Sequence, residues 1–498
     1  GWNFETIRKE NLFLQKVGNC EMDESLRERF KAEVRAMRAW TYLGMTMTFG
    51  KVPLITEVLD YNSPNIPRDE VSVIRDFIMK ELTEAAAILP EKYAGGYPNE
   101  KGRITKYACL SLKARAALYF GDYALAESTA KEVMDKGGFS LFKISSLSDA
   151  QKKEAEEMSL YIDFAEKGID KDEFVKGMFN YEALWHTENA NPDNPEYIMT
   201  RQYAASSWDY QDMTRYTSMR PNQLGGWSSV TPTQNLVDAY WGVDGHSVPQ
   251  LPTPEERAKA YNQIKADLDA YQKPEGEAKF IAFCQEKIKN GTLKDYKYIQ
   301  EFRNRDSRMY VSILMPFKSW YESNYGDKFV YEWIKNGNNE SKTGFNFRKM
   351  LSLENDANGD GQATGDYPCI RYAEILLIYA EAHTQTTGYD AATEAALNQL
   401  RDRCGMPDVP SGLSKEEGLK LIQNERRIEL AGEGFRGDDM TRYSDDYWKE
   451  HMNNVPIMTP DGDTELTMKW SSRMRLKPIP QTAIDLNPLL AGDQNPGY

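Results

Sequence analysis

The sequence predicts a mainly α protein, a tetratricopeptide-like helical scaffold carrying a large loop-rich insertion with short strands. Three observations predict it. Both ends of the chain carry apolar residues at helical spacing, in runs that stop at Gly or Pro. Two helical hairpins, one near each end, are joined through short Gly-containing turns in the tetratricopeptide manner. Between them lies a stretch rich in Gly, Pro, Asn and aromatic residues, with short runs that suit strands. The chain divides on this basis into an N-terminal scaffold (1–139), an insertion bearing the ligand site (140–365), and C-terminal hairpins with a tail that complete the scaffold (366–498).

In the first part, Leu26, Phe30, Val34, Met37 and Tyr42 form one amphipathic face, and Gly50 and Pro53 end that helix. Val71 to Leu89 reads as a second helix stopped at Pro90, and Thr105 to Phe120 as a third. Gly121-Asp122-Tyr123 turns the chain into a fourth helix, Ala124 to Asp135, closed by Gly137-Gly138. Small Ala residues let these last two helices approach while Gly and Asp make the turn. The second hairpin runs from Ile375 to Thr384, turns at Gly388-Tyr389-Asp390 and returns from Ala391 to Arg403; another helix follows from about Lys415 to Ala431.

In the insertion, Tyr310-Val311-Ser312-Ile313-Leu314 suits a strand or buried extended segment, and 250–290 is a charged helical stretch. Loops displayed on rigid helices commonly carry binding residues. The tail reads as rigid and polar. Ile479-Pro480 is a short extended piece, and Asn487-Pro488 and Pro496-Gly497 are turn pairs.

A chain of 498 residues can build a large core. Its net charge of −15 and the lack of a Lys/Arg-rich run argue against nucleic acid as a partner. No apolar stretch is long enough to span a bilayer. The chain starts Gly1-Trp2-Asn3 without a signal peptide, which fits either a cytosolic protein or a trimmed one. Cys20, Cys109, Cys284, Cys369 and Cys404 are scattered and form no Cys-x-x-Cys pair, so buried small hydrophobes are expected rather than disulfides or a zinc cage.

Signals for catalysis are weak. His186, His246, His383 and His451 show no zinc-ligand spacing, and no Gly-x-Ser-x-Gly elbow occurs. Among 76 acidic residues nothing singles out a glycosidase pair. Gly432-Glu433-Gly434-Phe435-Arg436-Gly437 spells a dinucleotide fingerprint, but a helix precedes it and Glu433 would repel phosphate, so a helix C-cap and turn is expected. Glu425, Arg426, Arg427 and Glu429 are expected to lock helices together through ion pairs. Asp356, Asn358, Asp360 and Gln362 copy the first half of an EF-hand loop, which makes a structural calcium one reading. Tyr367 stands at the twelfth position in place of Glu, and an acidic solvated turn is the other reading.

The aromatic loops carry the functional expectation. Tyr203, Trp208, Tyr210, Tyr216 and Trp227 lie among Ser, Asn, Gln and Gly, and Trp320, Tyr321 and Tyr325 form a second group. Flat rings pack against the C–H faces of sugars while amide and charged groups take the hydroxyls. The competing reading is that half or more of these rings lie in the core. Trp227, between Gly225-Gly226 and Ser228-Ser229, is the best exposed candidate, with Asn222 and Gln223 as polar companions and Arg220 as a weaker one. The predicted ligand set is Trp227, Trp208, Tyr203, Tyr210, Asn222, Gln223, Trp320 and Tyr325.

Several blocks, in order, resemble the SusD/RagB family. They include Arg35-Ala36-Met37-Arg38-Ala39-Trp40-Thr41-Tyr42 with Phe49-Gly50-Lys51-Val52-Pro53-Leu54, then Gly102-Arg103-Ile104-Thr105-Lys106 with Ala114-Arg115-Ala116. Pro232-Thr233-Gln234 to Tyr240 and Asp244-Gly245 follow. Next come Arg303 to Arg308, where Ser307 replaces the family's Pro, and Ile370-Arg371-Tyr372-Ala373-Glu374 with Tyr379-Ala380-Glu381-Ala382. Glu425-Arg426-Arg427-Ile428-Glu429-Leu430 leads into Gly434-Phe435-Arg436, with Gly437 where the family usually has an aromatic, and Leu476-Lys477-Pro478-Ile479-Pro480-Gln481 opens the closing tail.

The resemblance implies a SusD-like α/α superhelix and no catalysis. It implies a surface lipoprotein on the external face of the Gram-negative outer membrane that captures oligosaccharides or polysaccharides. These would pass to a SusC-like TonB-dependent transporter. The lipid anchor and the family's first ordered segment have no counterpart in this chain. Some members serve peptide uptake, so a peptide or protein ligand stays open as the alternative, with a glycoside hydrolase behind it.

Overall fold

The computed structural model describes residues 2–60, 62–94, 100–203, 219–321, 329–351 and 365–498. Five helices open the chain: α1 (Phe4–Lys16), α2 (Glu24–Phe49), α3 (Val71–Ile88), α4 (Lys106–Tyr119) and α5 (Tyr123–Lys136). The last four match the predicted helices to within a few residues. Local chemistry sets their starts: the Asp23 side chain accepts the Ser25 and Leu26 N–H groups, Thr105 caps α4, and Asp122 caps α5.

Successive helices pack as neighbours from α2 to α5, and α5 packs in turn on helix Tyr372–Thr386. That helix packs on Ala391–Cys404 and on Lys415–Glu429. The two hairpins predicted at opposite ends therefore join into one scaffold. Ala108, Ala114, Ala116, Ala126, Ala130, Ala373, Ala380 and Ala382 are all buried in it, small enough for close helix approach.

The tail is sewn to the end of α2. Asn495 Nδ2 donates to the Phe49 and Lys477 carbonyls at 2.9 and 2.7 Å, and Arg68 Nε donates to Asp493 at 2.9 Å. Gly50, at φ +72°, ends α2 where a Cβ would stand 2.9 Å from Leu476.

Residues 140–365 hold more helix than loop-rich composition suggests, including Asp149–Glu157, Lys171–Ala183, Pro254–Ala270 and Lys279–Lys289. Helix Lys171–Ala183 packs directly on Ala391–Cys404. Gly177 allows that contact, because a Cβ there would overlap the backbone at Cys404 and Gly405.

The strand expected at Tyr310–Leu314 is a correction: Ser307–Ser312 is helical, and only Ile313–Leu314 is a strand, antiparallel to Asn346–Phe347. The Asp306 side chain caps this short helix by accepting the Arg308 N–H at 3.0 Å. Other strand pairs are Tyr197–Arg201 with Tyr367–Arg371, Ser319–Trp320 with Phe329–Val330, and Val455–Met458 with Thr464–Met468, all antiparallel.

A buried ionic network joins the middle of the chain to helix Lys415–Glu429. Arg308 pairs with Asp306, Glu425 and Glu429; Arg371 pairs with Glu196, Glu429 and Glu433; Arg403 pairs with Glu196 and Glu429. Lys349 joins Glu433 at 2.7 Å, and Arg348 joins Glu154 at 2.6 Å. Burial pushes the Glu429 carboxyl up, but Arg403, Arg371 and Arg308 outweigh it and hold it well below the usual range. The expectation of helix-locking ion pairs thus holds for Glu425 and Glu429, and for Arg426 with Asp439 at 3.0 Å. Arg427 differs: it meets the neutral Asn235 side chain.

Gly432 and Gly434 take φ of +78° and +91° just after this helix, and Glu433 is consumed by Arg371 and Lys349. Gly432-Glu433-Gly434 is a helix-ending turn, as expected, whereas Phe435, Arg436 and Gly437 already open the next helix, Phe435–Arg442. Cys109, Cys284 and Cys404 are buried, but Cys369 is half-buried and Cys20, between α1 and α2, is exposed, which corrects the expectation for those two. No described helix is long and apolar enough to cross a membrane.

Candidate functional site

Residues 219–230 form a tight loop whose backbone closes on itself. Pro221 O accepts the Leu224 and Gly226 N–H groups at 2.9 and 3.0 Å, Asn222 O accepts that of Gly225 at 2.9 Å, and Arg220 O accepts that of Ser228 at 3.0 Å. Gly225 is left-handed at φ +79°, and a Cβ on Gly226 would overlap the Arg220 carbonyl. Leu224 and Arg220 are buried beneath the loop, at 4% and 1% exposure. Arg220 thus underpins the loop rather than facing solvent, a correction to its predicted role as a polar companion.

On this base Trp227 stands with 57% of its surface exposed. An exposed indole on a closed backbone is an apolar platform that needs little ordering to meet a flat ligand face. Asn222 and Gln223 are exposed on the same turn. The Gln223 side-chain Oε1 accepts the Glu332 N–H at 3.0 Å, which ties the loop to the segment after strand Phe329–Val330. The loop is therefore fixed at both its own closure and this crosslink.

The other predicted rings are placed differently. Tyr203 is half-buried at the end of strand Tyr197–Arg201, with the Arg201 guanidinium carbon 5.2 Å from its ring centroid. Trp320 is a correction. It is 1% exposed, with Arg348 at 5.0 Å from its ring centroid and Phe329 edge-on at 6.4 Å. Strand pairing with Phe329 turns it into the core, where it covers the guanidinium that holds Glu154. Tyr321 is half-buried and donates to Glu157 at 2.5 Å. Trp208, Tyr210, Tyr216 and Tyr325 lie outside the described residues, as do Asp356, Asn358, Asp360 and Gln362. Among the described residues no group of three His, Cys, Asp or Glu is arranged to hold a metal ion.

Titratable groups that sequence reasoning left unassigned are engaged internally. His383 sits between Glu127 at 2.7 Å and Asp390 at 3.1 Å; burial lowers its pKa, but these two carboxylates raise it above the ordinary value overall. Glu301 is pushed up to about 7 by burial, yet it accepts from Arg257 at 2.7 Å and from Gln234 at 3.0 Å. Asp238, also raised by burial, accepts from the same Gln234 nitrogen at 2.7 Å. This carboxylate pair has no sequence signal beyond Gln234 and Asp238 lying one helical turn apart.

A model of the SusD family matches residues 195–498. SusD-like protein P38 of Formosa agariphila is 22% identical over 454 residues, covering 88% of this chain and 70% of that protein. A solved SusD-like protein from Bacteroides fragilis superposes with a TM-score of 0.72 at 26% identity, over 99% of this chain and 84% of its own. A SusD-like carbohydrate binding protein from the same species gives 0.66 at 21% identity, over 97% of this chain and 83% of its own. A laminarin binding SusD-like protein gives 0.58 at 20% identity, over 99% and 84%.

Proposed function

We propose that this chain, which belongs to the SusD family, is a non-catalytic surface glycan-binding protein that captures oligosaccharides and delivers them to a SusC-like TonB-dependent transporter. Its place would be the external face of the outer membrane, held by a lipid anchor. The observation that carries the reading is the Trp227 indole, 57% exposed on a loop closed by its own backbone. Exposed aromatic surface on a rigid mount, beside amide side chains, is the arrangement that grips a sugar ring without chemistry. Two fold relatives described as carbohydrate binding and laminarin binding support the ligand class. The internal engagement of Glu301, Asp238 and His383 supports binding rather than turnover.

Titration of the protein with a panel of oligosaccharides tests this, alongside Trp227→Ala. The reading expects saturable glycan binding that the variant loses while its melting temperature is kept, and no new reducing ends on the same panel. Binding of peptides in place of glycans would move the ligand class to the peptide-uptake branch of the family.

A further inference from the structure

We infer that the cavity under the 455–468 hairpin is a second ligand site, which takes one neutral, hydroxylated ring of monosaccharide type. Strands Val455–Met458 and Thr464–Met468 form this hairpin. The cavity beneath it holds about 200 Å³. Val455, Met458, Pro252 and Phe345 give it apolar walls, and Asp238, Arg257 and Tyr298 are among its polar lining. None of residues 219–230 lines it, so it is not part of the Trp227 platform. Sites for drug-sized molecules measure about 300–1,000 Å³. This one has room for a single ring rather than a chain.

The polar groups keep hydrogen-bonding capacity that the protein itself does not use. Tyr298 is 1% exposed, and its hydroxyl has no hydrogen-bond partner. The ring is not free to turn toward one, because Tyr261, Phe302 and Phe317 pack edge-on against it, at 5.2, 5.4 and 6.2 Å between centroids. A buried hydroxyl without a partner costs free energy, which a ligand oxygen beside it would recover. Arg257 Nε donates to Glu301 at 2.7 Å. Its Nη2 stands 3.6 Å from Asp238 Oδ1, within ion-pair reach but too far for a hydrogen bond. Asp238 Oδ1 accepts from Gln234 at 2.7 Å, and its Oδ2 carries no hydrogen bond among the described residues.

The signs of these groups select the ligand. A carboxylate or phosphate would meet Asp238, and an ammonium would meet Arg257, whereas a hydroxyl both donates and accepts. Adjacent hydroxyls of one ring can donate to Asp238 Oδ2, accept from Arg257 Nη2 and face the Tyr298 hydroxyl. The C–H face of the same ring then lies on Pro252, Val455 and Met458. Pro252 and Arg257 also line a wider trough of about 710 Å³, so the cavity adjoins a larger space.

The saccharide class rests on the function proposed above, and the experiment keeps the two apart. The test is saturation-transfer NMR of the full chain with glucose, galactose, mannose and xylose, with glycerol as a small polyol control. Tyr298→Phe, Val455→Phe and Trp227→Ala are measured beside the parent protein. The inference expects at least one sugar to bind saturably. Tyr298→Phe removes only the unpartnered hydroxyl, so it is expected to keep or raise the melting temperature while weakening that sugar about fivefold. Val455→Phe fills the cavity and is expected to weaken it by about tenfold or more; Tyr298→Phe carries the test if this variant fails to fold. Trp227→Ala is expected to leave monosaccharide affinity unchanged. No saturable sugar, glycerol binding as tightly as the sugars, or equal affinity in the parent, Tyr298→Phe and folded Val455→Phe overturns the site. So does loss of the monosaccharide in Trp227→Ala but not in Tyr298→Phe. Oligosaccharide affinity lost in Trp227→Ala, with no monosaccharide bound here, would end this inference and leave the proposed function standing.

Discussion

Gly226 packs against the Arg220 carbonyl so closely that a Cβ on it would overlap that oxygen, the same atom that accepts the Ser228 N–H at 3.0 Å. The mount of Trp227 depends on this contact. Gly226→Ala is therefore expected to open the loop while leaving the core intact. Hydrogen exchange at the Leu224, Gly226 and Ser228 amides should speed up by at least about tenfold, with the exchange of α4 and α5 unchanged. Unaltered exchange in the loop would mean that the Gly is not what closes it.

Glu429 accepts from Arg308, Arg371 and Arg403, and all four side chains are fully or almost fully buried. Glu429→Gln leaves this cationic cluster short of one charge in a low-dielectric interior, at a cost of about 3–5 kcal/mol. Urea unfolding measures it. By contrast, Glu5→Gln, which breaks the exposed pair with Lys9, should leave the urea midpoint essentially unchanged. Equal costs for the two would contradict the ranking.

How much of this was legible in the sequence depended on how local the signal was. Helices α2 to α5 announce themselves through apolar spacing, Asp23, Thr105 and Asp122 as caps, and Gly or Pro stops. Trp227 was legible because Gly225-Gly226 and Ser228-Ser229 offer it little to hide behind. Tyr310 was misread because Tyr-Val-Ser-Ile-Leu has strand composition, while Asp306 and the buried Arg308 impose a helical turn. Trp320 was misread because its neighbours are polar, and the strand partner that turns it inward, Phe329, comes from beyond that polar stretch. In the ionic network, Glu425 and Glu429 were visible on their helix. Arg308 and Arg371, which pair with them, and Glu196 and Asp306, which share those arginines, come from far along the chain and leave no local mark.

Burial raises Glu10 and Glu301 to about 7 and Asp438 to about 6. A carboxyl in the unfolded chain titrates near about 4. Between these values the folded state holds more protons than the unfolded one, so stability is greatest at the acidic side of that window and falls as pH rises through it. The urea midpoint should be higher at pH 5.5 than at pH 7.5, and Glu10→Gln and Glu301→Gln should each flatten the difference. A midpoint that rises with pH over this range would contradict the assignment.

The Asp356, Asn358, Asp360 and Gln362 motif is proposed to hold a structural Ca²⁺. Added Ca²⁺ should then raise the melting temperature of EDTA-treated protein, and Asp360→Asn should remove the shift. An identical melt with and without Ca²⁺ would leave the motif as a solvated turn.

Everything functional rests on one indole kept in solvent by a self-bonded loop. The direct measurement is the affinity of parent and Trp227→Ala protein for whichever oligosaccharide of the panel binds tightest. The expected result is a loss of at least about tenfold in affinity, with the melting temperature unchanged. Equal affinity in the two proteins would mean that the sugar is gripped elsewhere, and the account of this site would fall.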